Sequence, residues 1–126
     1  MSWKYKVTKN SISCGPLTAY VVLEKDYNRV LSNKGSHSPD GFQMGYGGSG
    51  PSDLAYSILI DYFLREIEYN TNTYLETNCV ELEEIKVKVE TLYQQFKEDF
   101  IVGENELLII DSVTIEQWLK YQNKSN

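Results

Sequence analysis

The first third of the chain alternates apolar and polar residues at the spacing of β-strands. Residues 3–9 predict a half-buried strand, and the β-branched and apolar residues 18–23 predict its hairpin partner. Residues 27–31 fit either a short third strand or a turn of helix, and residues 42–46 fit a last strand. The apolar positions of the first and last of these strands are Trp3, Tyr5, Val7, Phe42, Met44 and Tyr46.

After residue 50 the apolar positions recur every three or four residues, which predicts amphipathic helices. The first is expected at about residues 51–68, because Pro51 suits the first helical position and Asp53 complements the helix dipole. A second helix is expected from about 80 to 100, and a strand remains possible over residues 86–89. The apolar stripe of this second helix is Leu82, Ile85, Val89, Leu92, Tyr93, Phe96 and Phe100.

The last quarter of the chain combines a short apolar run with a final helix. Residues 107–110 are all apolar, which predicts a strand buried in the sheet. Asp111 or Ser112 is suited to cap a helix over residues 113–121. The order of elements predicts an α+β fold, in which residues 1–126 form a single domain. We expect a small N-terminal antiparallel sheet, two or three helices packed on it, and a short strand near 107–110.

The charge of the chain is unevenly distributed, which bears on its partners. The formal net charge is −6, but residues 1–35 hold six basic and two acidic side chains, a local +4, so the remainder carries −10. A negative body repels nucleic-acid phosphate, so we expect no direct binding of DNA or RNA. The acidic surface fits either simple solubility or contact with a basic surface of another protein.

Three features of the sequence predict a cytoplasmic protein without membrane contact. No run approaches the roughly 18 apolar residues of a membrane-spanning helix. Residues 1–6 lack the apolar region of a signal peptide. Cys14 and Cys79 are too far apart for a metal or redox motif, which suggests a reducing compartment.

Glycine is concentrated in one segment between the predicted sheet and the first helix. Five of the eight glycines fall within residues 41–50, which indicates left-handed backbone or close approach by another group. A turn at a helix N-terminus points unpaired N–H groups outward at the positive end of the helix dipole, so it suits a phosphate. We predict a ligand-binding site made of Phe42, Gly45, Tyr46, Gly47, Gly48, Ser49, Gly50 and Ser52.

Packing alone is the competing interpretation, because a helix that lies close to a sheet also requires glycine. The turn has neither the Lys-Ser or Lys-Thr pair of a Walker A loop nor the G-x-G-x-x-G spacing of a dinucleotide-binding fold. We favour a ligand, with the Ser49 and Ser52 hydroxyls as further donors and Tyr46 as a surface for stacking a base.

Catalytic and metal chemistry have weaker support. Ser49 lies in Gly-Gly-Ser-Gly, but a nucleophile elbow requires glycine where Pro51 stands and a histidine base within reach. His37 is the one histidine in the chain, so hydrolysis by Ser49 and His37 is a third, minor hypothesis. One histidine and two distant cysteines make no metal motif, and we expect no metal, no cofactor and no catalytic residue.

Several segments resemble a small uncharacterised domain family of bacteria, phages and plasmids. They are Ser-Pro-x-Gly-Phe at 38–42, Gly-Tyr-Gly-Gly-Ser-Gly-Pro at 45–51, Tyr-Gln-x-Phe-Lys at 93–97 and Ile-x-x-Trp-Leu at 115–119. The resemblance implies one complete domain in a phage or mobile-element setting, and hence a role in host takeover or anti-defence. It implies no particular activity.

Two main functional hypotheses follow. In the first, the chain is a non-enzymatic binding protein whose glycine-rich turn holds a phosphate-bearing ligand such as a nucleotide, and in a phage setting it sequesters a nucleotide immune signal in the host cytoplasm. In the second, it is an acidic protein that inhibits a host defence protein by direct contact, without a small ligand. Either hypothesis is compatible with a homo-oligomer.

Overall fold

The computed structural model describes residues 2–8, 18–22, 28–35, 41–71, 80–104 and 106–124. These residues form an antiparallel sheet and a layer of helices, which confirms the predicted α+β fold. No helix in the described ranges is long and apolar enough to cross a membrane. The elements in chain order are β1 (Lys4–Thr8), β2 (Thr18–Val22), β3 (Asn28–Val30), α1 (Ser49–Thr71), α2 (Val80–Glu90), α3 (Tyr93–Phe100), β4 (Leu107–Asp111) and α4 (Ser112–Lys124).

The four strands form one antiparallel sheet in the order β3-β2-β1-β4. β1 and β2 pair with Tyr5 opposite Val21, which confirms the predicted hairpin partners. β4 pairs with the other side of β1, with Tyr5 opposite Ile110. Because side chains alternate across a strand, one face of the sheet contributes to the core. The residues of that face are Tyr5, Val7, Ala19, Val21, Leu108 and Ile110.

Three strand predictions are settled or corrected by the structure. Residues 27–31, left open between strand and helix, contain β3. Residues 42–46 form no strand, because the chain bends over 45–48 toward α1. The apolar run 107–110 is not buried within the sheet. In the described sheet β4 is an outer strand, and its alternate side chains are exposed because the described helices cover one face only.

The helices follow the predicted periodicity with one break. α1 begins two residues earlier and ends three residues later than predicted. The predicted helix over 80–100 is two helices, because the chain turns at Thr91 and Leu92, where the Thr91 hydroxyl donates to the Lys88 carbonyl at 2.7 Å. Residues 86–89 lie in α2, so the alternative of a strand there is wrong. The final helix also extends beyond the predicted 113–121 at both ends.

α1 is the central element of the helical layer. All of residues 50–60 are buried, as expected for a helix that is covered on every side rather than on one face. The sheet, α2 and α3 surround it and contribute to a single apolar core. The side chains of this helix with no exposure at all include Leu54, Ile58, Leu59 and Ile60.

A shared carboxylate joins α1 to the sheet. The Tyr5 hydroxyl, fully buried on β1, donates to Asp61 Oδ2 at 2.8 Å and accepts from Trp3 Nε1 at 2.8 Å. Arg29 of β3 donates to Asp61 Oδ1, and Arg65, one turn further along α1, donates to Oδ2 at 3.3 Å. Burial, and then the neighbouring charge of Asp61, raises the pKa of Tyr5 well above its usual value, so the hydroxyl stays protonated as a donor.

Removing the Tyr5 hydroxyl should destabilise the fold measurably. Tyr5→Phe leaves the Trp3 indole N–H without its acceptor and removes one of the two hydrogen bonds to Asp61 Oδ2, and we expect a loss of about 1–3 kcal/mol in the free energy of unfolding. The measurement is urea denaturation. Tyr46→Phe, at a half-exposed ring, is the matched control and should change the free energy by less than about 0.5 kcal/mol. Equal effects of the two variants would contradict the importance of this network.

Asp111 caps α4. The sequence leaves the cap open between Asp111 and Ser112. Asp111 Oδ1 accepts from the Thr114 backbone N–H at 2.7 Å, whereas Ser112 bonds to Trp3, the residue before β1, through both its amide and its hydroxyl. The hydrogen bonds from the Thr114 amide and side chain lower the pKa of Asp111.

The cap should make stability depend on pH in a defined direction. Because folding depresses the pKa of Asp111, the cap stabilises above the unfolded-state pKa, and this contribution is lost as pH falls through the folded-state pKa. We expect Asp111→Ala to cost about 1 kcal/mol at pH 7 and the difference from the parent to narrow below about pH 4. Asp111→Asn caps without titrating, so its stability advantage over Asp111→Ala should not narrow in acid. Denaturation curves from pH 2 to 7 test both.

Candidate functional site

The predicted ligand site lies between the sheet and the first turn of α1. We refer to residues 45–52 as the glycine-rich turn. Gly41 and Gly45 have φ angles of 78° and 88°, in the left-handed region that favours glycine. The Gly45 N–H donates to the Ile101 carbonyl at 3.2 Å and so ties the turn to the end of α3. Backbone conformation therefore accounts for these two glycines.

Close packing accounts for a third glycine. A Cβ atom on Gly50 would lie 2.6 Å from Cβ of Gln43 and 3.0 Å from the Gly41 carbonyl oxygen. Both of these atoms are fixed by the backbone, so they cannot move aside as a flexible side-chain end would. The segment before the turn therefore packs directly on the start of α1, and only glycine fits at this contact.

Gly47 and Gly48 differ from the other three glycines. Neither has a positive φ angle. A Cβ atom on Gly47 would meet Glu98 Oε1 at 3.8 Å, an ordinary contact. A Cβ atom on Gly48 would lie 2.4 Å from Cε2 of Tyr46, but that ring is 51% exposed and free to turn toward solvent. The packing of the described residues therefore does not require glycine at either position.

The eight predicted site residues divide by exposure, and only some of them are accessible to a ligand. The exposed residues lie at the tip of the turn, and the buried ones pack inside it. The exposed residues are Tyr46, Gly47 and Ser49, the partly buried residues are Gly45 and Gly48, and the buried residues are Phe42, Gly50 and Ser52.

Ser52 is occupied by contacts within the protein. Its hydroxyl donates to the Gly48 carbonyl at 2.9 Å, and its backbone N–H donates to the same oxygen at 3.1 Å. The hydroxyl oxygen also lies 3.3 Å from Lys97 Nζ, from which it accepts a hydrogen bond. Ser52 therefore closes the first turn of α1 and orients a lysine behind it.

Lys97 lies beside the candidate site, and the sequence analysis did not include it among the site residues. It lies on α3, is only 7% exposed, and places its ammonium against the first turn of α1 through Ser52. The Glu98 carboxylate, on a side chain that is 57% exposed, lies 4.0 Å from the ammonium. A signal was present, because Lys97 follows Tyr93 by four residues and so falls on the apolar stripe of the helix.

The charges around the turn favour an anion at its tip. The N-terminus of α1 carries about half a positive charge, and the Lys97 ammonium adds a full charge behind it. Asp53 is fully buried in the same helical turn, and its carboxylate lies against Gly35. Because successive helical residues are rotated by about 100°, Asp53 and Ser52 point in different directions. Glu98, which reaches Gly47, is the acidic group at the tip.

The family of the chain is identified by the segment that contains this turn. A family model described as a family of unknown function, DUF6166, matches residues 17–86. The chain belongs to this family. The matched segment includes β2, β3, the glycine-rich turn and α1, whereas Lys97 and α4 lie beyond it. The chain matches no curated protein and no solved structure.

Metal and serine-hydrolase chemistry gain no geometric support from the residues that the structure describes. In the described ranges, no group of three or more histidine, cysteine or acidic residues is placed to hold a metal ion. His37 lies outside the described residues, as do Cys14 and Cys79. The hypothesis of a Ser49–His37 pair therefore stays a prediction.

A separate cavity of about 680 Å³ lies beside the C-terminal half of α1, between it, the α2–α3 junction and α4. The Trp3 ring contacts those of Tyr62 and Tyr69 in tilted arrangements, at centroid distances of 5.5 and 5.3 Å, and all three rings line the cavity. Burial, and then a hydrogen bond to Glu66, raises the pKa of Tyr62. No residue of the predicted site lines this cavity.

The packing role of Gly50 gives a stability prediction. Gly50→Ala places a methyl group against Gln43 and the Gly41 carbonyl, and we expect it to lower the free energy of unfolding by about 1–3 kcal/mol. Gly103→Ala is the matched control, because a Cβ atom there meets nothing within 4 Å. That variant should be neutral or slightly stabilising. Chemical denaturation of both variants is the measurement, and a neutral Gly50→Ala would contradict the packing argument.

Proposed function

We propose that this protein is a non-enzymatic binding protein whose glycine-rich turn holds the phosphate of a small ligand. The observation that carries the proposal is the buried Lys97 ammonium, placed against the N-terminal turn of α1. A cation beside the positive end of a helix dipole is unfavourable unless an anion accompanies it, and the Glu98 carboxylate, 4.0 Å away on a side chain that is 57% exposed, compensates the charge only in part.

The hydrogen-bonding capacity of Lys97 supports an anionic ligand. An ammonium group has three donors, and among the described residues its contacts are the Ser52 hydroxyl at 3.3 Å and the Glu98 carboxylate at 4.0 Å. Glu98 is mostly exposed and free to move toward water when an anion arrives. A phosphate at the tip would then meet the ammonium charge and the amides of Ser49 and Gly50, which have no acceptor within the helix. Pro51 has no N–H, and the Ser52 N–H is bonded to the Gly48 carbonyl.

The glycines at the tip support close approach by a ligand. Gly47 and Gly48 are the two glycines of the turn that neither backbone conformation nor tight packing requires. A bare backbone allows a phosphate oxygen to approach the N–H groups, which a side chain would hinder. The half-exposed ring of Tyr46 lies over Gly48, so a ligand with an aromatic base has a stacking surface next to its phosphate. These features favour a nucleotide over inorganic phosphate.

In a phage or mobile-element setting, the proposed role is to sequester a nucleotide that signals host defence. Sequestration requires tight binding and no turnover. It also requires a protein in the same compartment as the signal, which agrees with the cytoplasmic location expected from the sequence. The alternative is that the acidic surface inhibits a host protein by direct contact. The following experiment distinguishes this alternative from nucleotide binding.

Nucleotide binding should stabilise the protein and should depend on Gly47. We expect one or more mono-, di- or cyclic nucleotides to raise the free energy of unfolding by about 2.7 kcal/mol at a concentration 100-fold above the dissociation constant. Gly47→Val should abolish this shift because its side chain covers the tip, while the contact distance of 3.8 Å to Glu98 leaves room for the variant to fold. Gly103→Val, the same change at an open turn, should bind as the parent does. Thermal-shift assays followed by calorimetry are the measurements.

Two charge variants test whether the phosphate lies beside Lys97. Lys97→Gln should weaken nucleotide binding by about 1.5–3 kcal/mol, the usual contribution of a hydrogen bond to a charged group. Glu98→Gln should strengthen it, because the variant removes the acidic group at the tip. If no nucleotide shifts the stability of the parent, the turn is a packing device only, and the acidic inhibitor becomes the better hypothesis.

A further inference from the structure

β4 leaves two large apolar side chains in solvent on a strand whose sequence is apolar on both faces. Leu107 and Ile109 are 47% and 53% exposed, whereas Leu108 and Ile110 are buried. A run that is apolar on both faces is typical of a strand that is covered on both sides. In the described part of the chain, only the helical side is covered.

The outer edge of β4 also presents unpaired backbone groups. β4 is the last strand of the described sheet. The Ser112 N–H donates to the Trp3 carbonyl at 2.7 Å, so these two residues form a bonded pair at the end of the β1–β4 ladder. Bonded and non-bonded pairs alternate along an antiparallel ladder. The N–H and C=O groups of Leu107 and Ile109 and the N–H of Asp111 therefore point away from β1, toward the outer edge of the described sheet, whereas the Asp111 C=O accepts the first hydrogen bond of α4.

β4 lacks the features by which edge strands normally avoid pairing. Its sequence, Leu-Leu-Ile-Ile-Asp, contains no lysine, proline or glycine. Its ladder with β1 runs without a bulge from Leu107 to Asp111. Apart from Asp111 at its end, the strand is apolar and regular, and in the described part of the sheet no further strand pairs with its outer donors and acceptors. These are the properties of a strand that receives another strand.

We propose that β4 is a self-association edge, at which two copies of the chain pair β4 against β4 in antiparallel orientation about a twofold axis at Ile109. In this register Ile109 faces Ile109 of the partner subunit, Leu108 faces the partner's Ile110, and Leu107 faces the partner's Asp111. No like charges oppose each other, and three of the five pairs are apolar. The product is one continuous eight-stranded sheet with both helical layers on the same side.

The charges of the sheet favour this edge contact over stacking of the two exposed faces. Lys6 lies opposite Ile109, and Lys4 lies opposite Asp111, on the same outer face. Stacking two such faces would bring the lysines of both copies together in a desolvated interface, which is unfavourable. Edge pairing leaves the lysines in water. A five-residue strand buries less area than the roughly 1,200 Å² of a stable interface, so we expect a weak dimer that depends on concentration.

The test uses opposite charges at the symmetry axis. Sedimentation velocity of the full chain from micromolar to millimolar concentration should show a monomer–dimer equilibrium. Ile109→Lys and Ile109→Glu should each weaken it by about tenfold or more, because two like charges then face each other across the axis. An equimolar mixture of the two variants should restore the dimer, which no general loss of stability would allow.

Val30 supplies the control pair, since it lies on the same outer face at the opposite edge of the sheet and is 60% exposed. Val30→Lys and Val30→Glu should dimerise as the parent does. A parent that remains monomeric at every concentration would overturn the proposal, as would an Ile109 mixture that fails to recover the dimer. A Val30 pair that behaves like the Ile109 pair would also overturn it, in favour of face stacking.

Discussion

The fold depends on the fixed placement of α1 against the sheet, and the partly buried carboxylate of Asp61 sets that placement. Apolar contacts hold a helix on a sheet without specifying its rotation or translation closely, because the hydrophobic effect has no direction. Asp61 adds direction. It accepts hydrogen bonds from Tyr5 on β1 and Arg29 on β3, and from Arg65 on its own helix. Strands that are distant in the chain are thereby locked to one point on the helix.

A second set of contacts holds the N-terminus of α1. Its N-terminus lies beside the end of α3, where the bond from Gly45 to Ile101 and the close contact of Gly50 with Gln43 hold the turn. α3 in turn delivers Lys97 to the first helical turn. The charge arrangement at the tip is therefore a consequence of how α1, α3 and the turn pack, and it does not reside in the turn alone.

The candidate site was only partly predictable from the sequence. The clustering of glycines located the turn, because few other settings need so many. The sequence could not separate the roles of those glycines, since packing at Gly50 depends on Gln43 and the backbone before the turn. It also offered Ser52 as a ligand donor, and tertiary contacts commit that hydroxyl to Gly48 and Lys97. Lys97 was missed because its partner lies 45 positions away in the chain.

The sequence by itself determined the types of element, their order and the α+β class, because hydrophobic periodicity and capping residues act over a few neighbouring positions. It placed the pair of β1 and β2, the long α1 and a cap at Asp111 or Ser112. Only the tertiary structure decided that β4 is an outer strand, that the second predicted helix breaks at residues 91 and 92, and that Lys97 faces the turn. Those outcomes depend on which faces meet across the fold, and local periodicity carries no information about the partner of a face.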